Sequence, residues 1–160
     1  MNKSRRSTTS GRPRGAVSRP GSAGLTLDSG ALIALEDRSS RIAAIIEATR
    51  LTKKRVTVPM AVIAEWWRDT PAQRYVRTLF TVEPMSDEKL AKRAGVALGK
   101  LRKPGEERSK KRRASAVDAI VMASAALRGD IVYTSDREHM GRLMTSFENV
   151  EVLSVNGASA

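Results

Sequence analysis

Cysteine is absent from the 160 residues. That removes disulfides, thiolate metal sites and a cysteine nucleophile, and it suits a reducing, cytoplasmic setting. There is one histidine, His139. A single imidazole cannot furnish a two-histidine acid–base pair, and it makes a Ser-His-Asp arrangement improbable; His139 itself is expected on the surface. No apolar run approaches the ~18 residues that span a bilayer, so no membrane segment is expected. The basic N-terminus has no apolar core behind it and does not read as a secretory signal.

What is present suits a globular chain. Apolar residues make up 41% of the sequence, and the length fits one domain with a true core. The net charge of +12 is unevenly placed. Residues 1–22 hold Lys3, Arg5, Arg6, Arg12, Arg14 and Arg19 and no acid. Residues 89–113 hold eleven basic residues against Glu106 and Glu107. The rest of the chain carries more acids than bases. A mildly acidic body with two basic segments points to a polyanionic partner, most simply nucleic acid.

Residues 1–22, rich in Ser, Arg, Gly and Pro, read as a disordered basic tail. A transit peptide has similar composition, but no amphipathic helix is evident. Gly24 to Asp28 reads as a short strand that stops at an acid, and Ser29-Gly30 turns the chain into an apolar helix. Either Asp28 or Ser29 can cap that helix. Alternatively, Asp28 projects from the carboxyl end of a parallel strand, where ligand sites of open α/β sheets form.

A helix follows over about 39–51, with Ile42, Ile45, Ile46 and Thr49 at helical spacing, then a strand over Val56-Thr57-Val58. Pro59 is expected to open a helix running through Asp69, in which Glu65 borders an apolar face, or pairs with Arg68 at the surface. Trp66 and Trp67 on that helix are expected in the core or a dimer interface. Thr70-Pro71 starts another helix through Leu79, and Phe80 to Glu83 alternates as a strand. A helix over about 87–103 carries apolar residues on one face and Lys89, Lys92, Arg93, Lys100, Arg102 and Lys103 on another. Its Gly95-to-Leu101 segment lacks the glycine spacing and hydroxyl of a phosphate loop.

Pro104-Gly105 opens a strongly basic loop. The helix over about 115–127 is apolar or small throughout except for Asp118, and Arg128-Gly129 ends it. Asp130 to Thr134 is a strand followed at once by Ser135-Asp136, residues 137–146 a short helix, and Val150 to Val155 a last strand. Alternating helices and short apolar strands predict an α/β fold, a mostly parallel sheet of about five strands flanked by helices.

Four carboxylates share one kind of place in this scheme. Asp28 and Asp136 end strands, and Glu65 and Asp118 lie in helices next to strands. Gathered at one sheet edge they would repel each other unless a cation were shared. Oxygen ligands without His or Cys select a hard cation, Mg²⁺ or Mn²⁺. Each acid has a simpler explanation as well. Ser115-x-x-Asp118 and Ser135-x-x-Glu138 both fit capping boxes.

The blocks Leu27-Asp28-Ser29-Gly30-Ala31-Leu32-Ile33-Ala34-Leu35, Val62-Ile63-Ala64-Glu65, Val117-Asp118-Ala119-Ile120-Val121-Met122-Ala123-Ser124-Ala125 and Ile131-Val132-Tyr133-Thr134-Ser135-Asp136 resemble those of PIN-domain ribonucleases, specifically VapC-like toxins of type II toxin–antitoxin pairs. The resemblance covers residues 24 to about 155 and implies a PIN-like nuclease domain over 23–156. It implies that Asp28, Glu65, Asp118 and Asp136 hold the metal and act in catalysis, with Ser29, Thr134 or Ser135 adding a hydroxyl nearby. It also implies RNA as substrate and a cognate antitoxin as partner; a homodimer is expected. The basic tail and the 104–113 loop depart from the family pattern.

The expected chemistry is metal-dependent hydrolysis of RNA phosphodiesters. Basic residues near 89–113, chiefly Arg108, Lys110, Lys111, Arg112 and Arg113, would hold the RNA backbone without reading bases. Two rivals stand beside it. One is a PIN-like nucleic-acid-binding module without cleavage. The other is a receiver-like Mg²⁺-binding phosphoacceptor domain, which the spread of the acids over four segments disfavours.

Overall fold

The computed structural model describes residues 23–84, 87–101 and 115–157. The tail 1–22 and the basic stretch with Arg108, Lys110, Lys111, Arg112 and Arg113 lie outside the described residues.

The described chain runs β1 (Leu25–Leu27), α1 (Ser29–Glu36), α2 (Ser40–Leu51), β2 (Val56–Pro59), α3 (Met60–Trp66), α4 (Pro71–Arg77), β3 (Thr81–Glu83), α5 (Glu88–Leu101), α6 (Ala116–Arg128), β4 (Ile131–Thr134), α7 (Arg137–Met144) and β5 (Glu151–Ser154). The five strands form one sheet in the order β3-β2-β1-β4-β5. Every pairing is parallel, with Leu25 beside both Val56 and Ile131. The strands are short and apolar because both sheet faces are covered, and β1 and β2 are buried at every residue. The fold is the expected α/β architecture, with seven helices around an all-parallel sheet among the described residues. A receiver-like domain has strand order 2-1-3-4-5. The order found here overturns that rival.

The α6 helix is the centre of one face. Its buried residues are Ala119 and every position from Val121 to Ala126. A helix that is apolar nearly all round belongs inside. It starts on a reciprocal capping box, in which Ser115 Oγ accepts from Asp118 N–H and Asp118 accepts from Ser115 N–H. It stops at Gly129, whose φ of 69° is the left-handed conformation that ends helices.

Local expectations shift in two places. Pro59 closes β2 and flanks α3 from an extended conformation, so the helix begins at Met60. That helix ends at Trp66, short of Asp69, because Gln73 offers its end a better partner than another turn would. The Gln73 amide donates to the Trp66 carbonyl (2.9 Å) and accepts from Arg68 N–H (2.6 Å). The same residue completes a capping box with Thr70 for α4, so one buried side chain joins both helices. Trp66 is in the core, edge-on to Trp67 and Phe80, and its indole N–H donates to Glu36 (2.6 Å).

At the edge where β1 and β4 begin, a polar network lies beneath α6. Asp130, 4% exposed, accepts from Gly24 N–H (3.0 Å), Thr26 Oγ1 (2.8 Å) and Arg128 Nε (2.7 Å). Arg128 also pairs with Glu83 and donates to Thr26 and Ser124, while Ser124 donates to Glu83.

Candidate functional site

Strands β1 and β4 are adjacent, and the chain leaves them toward opposite flanks of the sheet. The crevice at the carboxyl ends of two such strands is where open α/β sheets bind ligands. Asp28 is the residue after β1, and Asp136 lies two residues beyond β4.

Asp28 is 6% exposed and caps α1, accepting from Ala31 N–H at 2.7 Å. The Thr134 hydroxyl also hydrogen-bonds its carboxylate. Burial nevertheless pushes the Asp28 carboxyl up from 3.8 to about 6. The Thr134 and Ala31 hydrogen bonds pull it down, and the negative charges of Asp118 and Glu65 add to the rise. Asp28 therefore feels the charges of two of the other expected acids, Asp118 and Glu65. Asp118 is half-buried at the first turn of α6, and its capping box coexists with this role. Glu65 is exposed on α3, with no ion pair to Arg68 among the described residues.

Asp136 is linked to Thr134 through its backbone N–H. The fully buried Thr134 Oγ1 accepts from Asp136 N–H (2.9 Å) while its hydroxyl serves Asp28. Asp136, and not Ser135, caps α7, accepting from His139 N–H (3.2 Å). The expected Ser135 box is thus replaced by a cap one residue later, because Thr134 already holds the Asp136 N–H and turns its carboxyl over the helix end. Ser135 is exposed, and Ser29 is half-buried in the first turn of α1.

His139 departs from expectation. Its side chain is only 15% exposed and its Nδ1 lies 3.0 Å from Asp136 Oδ2. An ionised carboxylate can only accept, so with Asp136 ionised the ring donates from Nδ1. The other nitrogen, Nε2, is buried without a hydrogen-bond partner among the described residues. The three-residue spacing from Asp136 was the available sequence signal, since the third residue after a cap faces the capping side chain. Gly30 is the other residue whose role the pattern missed. A Cβ there would meet Ser135 Oγ at 2.1 Å and Ser135 N at 3.2 Å, so glycine is what lets the turn after β4 close onto α1.

The donor set fits a hard divalent cation. It is built of carboxylates and the buried Thr134 hydroxyl, and the charges of Asp118 and Glu65 add to the burial that raises the Asp28 carboxyl. The fit is one of field and donor chemistry. Among the described residues, no three Asp, Glu or His side chains converge as a ready coordination sphere.

No protein-family profile and no curated protein matches the sequence. Solved structures do match its shape. PAE2754 from Pyrobaculum aerophilum superposes with a TM-score of 0.53 at 16% identity, covering 85% of this chain and 92% of that one. FitAB, in a structure bound to an IR36 DNA fragment, gives 0.55 at 16% identity, covering 85% and 98%. The likeness establishes the fold. It is PIN-like. No helix among the described residues is long and apolar enough to cross a membrane.

Proposed function

We propose that this chain is a Mg²⁺-dependent endoribonuclease, the toxin of a toxin–antitoxin pair. The observation that carries the reading is the buried Asp28 carboxylate, held at the crevice between β1 and β4 against the charges of Asp118 and Glu65. Keeping such a group charged without compensation is costly, and a fold that gathers acids around it is matched to a cation.

Asp28 and Asp118 would hold the ion, with Glu65 and Asp136 completing the set. When bound, Mg²⁺ or Mn²⁺ supplies electrostatic activation of water and offsets charge on the phosphodiester oxygens. The chain's own residues prepare the site for this. Ala31 N–H and Thr134 fix the Asp28 carboxylate, and the Ser115 box fixes Asp118 at the positive end of α6. The exposed cations of α5, including Lys89, Arg93 and Lys100, together with Arg108, Lys110, Lys111, Arg112 and Arg113, bind the RNA backbone. FitAB is bound to DNA in its structure, and a nucleic-acid partner here accords with that and with the basic segments. An antitoxin and a second copy of this chain are the proposed protein partners, in the cytoplasm.

The test is cleavage of total RNA by the full chain with Mg²⁺, with EDTA, and as Asp118→Asn. The reading expects cleavage only in the first. Equal activity in all three defeats it, and tight RNA binding without cleavage in any of them favours the non-cleaving module. Co-purification of a small protein encoded next to this chain would support the toxin assignment.

A further inference from the structure

We propose that His139 is a positioning residue for Asp136. Its ring Nδ1 meets the Asp136 carboxylate at the start of α7 and fixes that carboxylate beside the acidic crevice. This rests on the cation site proposed above.

The geometry has three parts. First, His139 approaches Asp136 twice, with its backbone N–H 3.2 Å and its ring Nδ1 3.1 Å from Oδ1. The backbone bond alone would cap α7, as any residue in that place can do. The ring bond is additional, and only a side chain with a donor at the Nδ1 position supplies it. Second, the ring is packed away from water, at 15% exposure, with Nε2 buried and without a partner among the described residues. A histidine kept for solvation or as a surface charge would not bury that nitrogen. The ring nitrogen that finds a partner among the described residues is Nδ1, and that partner is Asp136.

Third, Asp136 is not an isolated cap. Its N–H donates to Thr134 Oγ1, whose hydroxyl serves Asp28. His139, Asp136, Thr134 and Asp28 form one chain of contacts leading from the side of α7 to the buried carboxylate. His139 makes two contacts with this one carboxylate, one from its backbone and one from its ring. Outer partners of this kind orient ligands, and losing one commonly lowers metal affinity about 10–100-fold.

The experiment contrasts donor with volume in the full-length chain. Asparagine places its amide nitrogen where Nδ1 sits but fills less space. Phenylalanine fills the ring's space and has no donor. Mn²⁺ affinity is measured by calorimetry and by the shift of melting temperature, with RNA cleavage as a second readout and metal-free melting as the check on folding. His139→Phe should bind Mn²⁺ at least about tenfold more weakly than the parent, with cleavage falling in parallel, while His139→Asn should stay within about threefold of the parent. Should the phenylalanine variant not fold, His139→Gln serves in its place, because its amide reaches the Nε2 position instead. Retention by Phe with loss in Asn assigns the ring to packing and overturns the proposal. So does unchanged affinity in both, or equal loss in both. A parent chain that neither binds Mn²⁺ nor cleaves RNA defeats the cation site itself, and this inference with it. That outcome is separate from one in which the parent binds and the variants do not differ.

Discussion

Gly30 and Ser135 are in contact at a distance that no side chain on Gly30 could share. A Cβ there would lie 2.1 Å from Ser135 Oγ and 2.9 Å from its Cβ. Helix propensity alone favours alanine over glycine by about 1 kcal/mol. The overlap reverses that sign, because the hydroxyl can swing away but the Cβ and backbone nitrogen cannot. Gly30→Ala should destabilise the fold by about 1–3 kcal/mol and weaken any activity, since it pushes Thr134 and Asp136 away from Asp28. Gly30→Ala with Ser135→Gly should recover part of the loss. Urea unfolding of the two single variants and the double variant measures the coupling, and strict additivity would mean that the contact does not constrain the turn.

The burial of Asp28 predicts an unusual acid limb. Its carboxyl titrates near 6 in the fold against 3.8 as a free group. The folded state therefore holds the proton more tightly, and the contribution favours folding below about pH 4. It is lost as pH rises through 6, at a cost of roughly 3 kcal/mol for a shift of about two units. In EDTA, melting temperature should fall between pH 4 and 7 in the parent, whereas Asp28→Asn should remove this component. At pH 7.5, Mg²⁺ should raise the melting temperature of the parent and not of the variant. A parent profile identical to that of Asp28→Asn across the range would contradict the electrostatic picture.

The order of all twelve elements and the placing of Asp28 and Asp118 were legible because they are local. An acid after an apolar triplet, and Ser115 three residues before Asp118, encode a strand end and a capping box within a few residues. What the pattern could not show is what arrives from far away. Thr26 and Asp130 bond across 104 residues, and no window of sequence contains both. The end of α3 at Trp66 depends on Gln73, whose double service to two helices emerges only when they cross. The burial of His139 is hidden from the sequence for a related reason. Its residue type and polar neighbours suggest a surface, while packing and Asp136 bring it in.

Arg128 should matter more to stability than the other ion-pairing arginines. Its guanidinium serves Glu83 and the buried Asp130 together, and removing it leaves a carboxylate with 5% side-chain exposure short of a partner. Arg128→Met, which keeps most of the volume, should cost roughly 2–4 kcal/mol, somewhat less than for a wholly buried pair because Arg128 keeps some contact with water. Arg142→Met breaks an exposed pair with Glu138 and should cost under about 1 kcal/mol. Urea midpoints at unchanged slope provide the comparison. Equal costs would show that the network beneath α6 is no stronger than a surface pair.

The capping role of Asp118 and its proposed cation-binding role are separated by different substitutions. Its carboxylate accepts from Ser115 N–H at 2.7 Å, and an asparagine oxygen can accept the same bond. Asp118→Asn gives up a favourable charge at a helix start, worth about 0.3–1 kcal/mol, and relieves repulsion with Asp28. The two effects oppose, so the metal-free variant should melt within a few degrees of the parent. Asp118→Ala loses the box as well and should cost about 1 kcal/mol more. Both should abolish Mg²⁺-dependent RNA cleavage, because the amide keeps the cap and loses the anion. An asparagine variant that cleaves normally but melts as low as the alanine variant would leave Asp118 with its capping role alone.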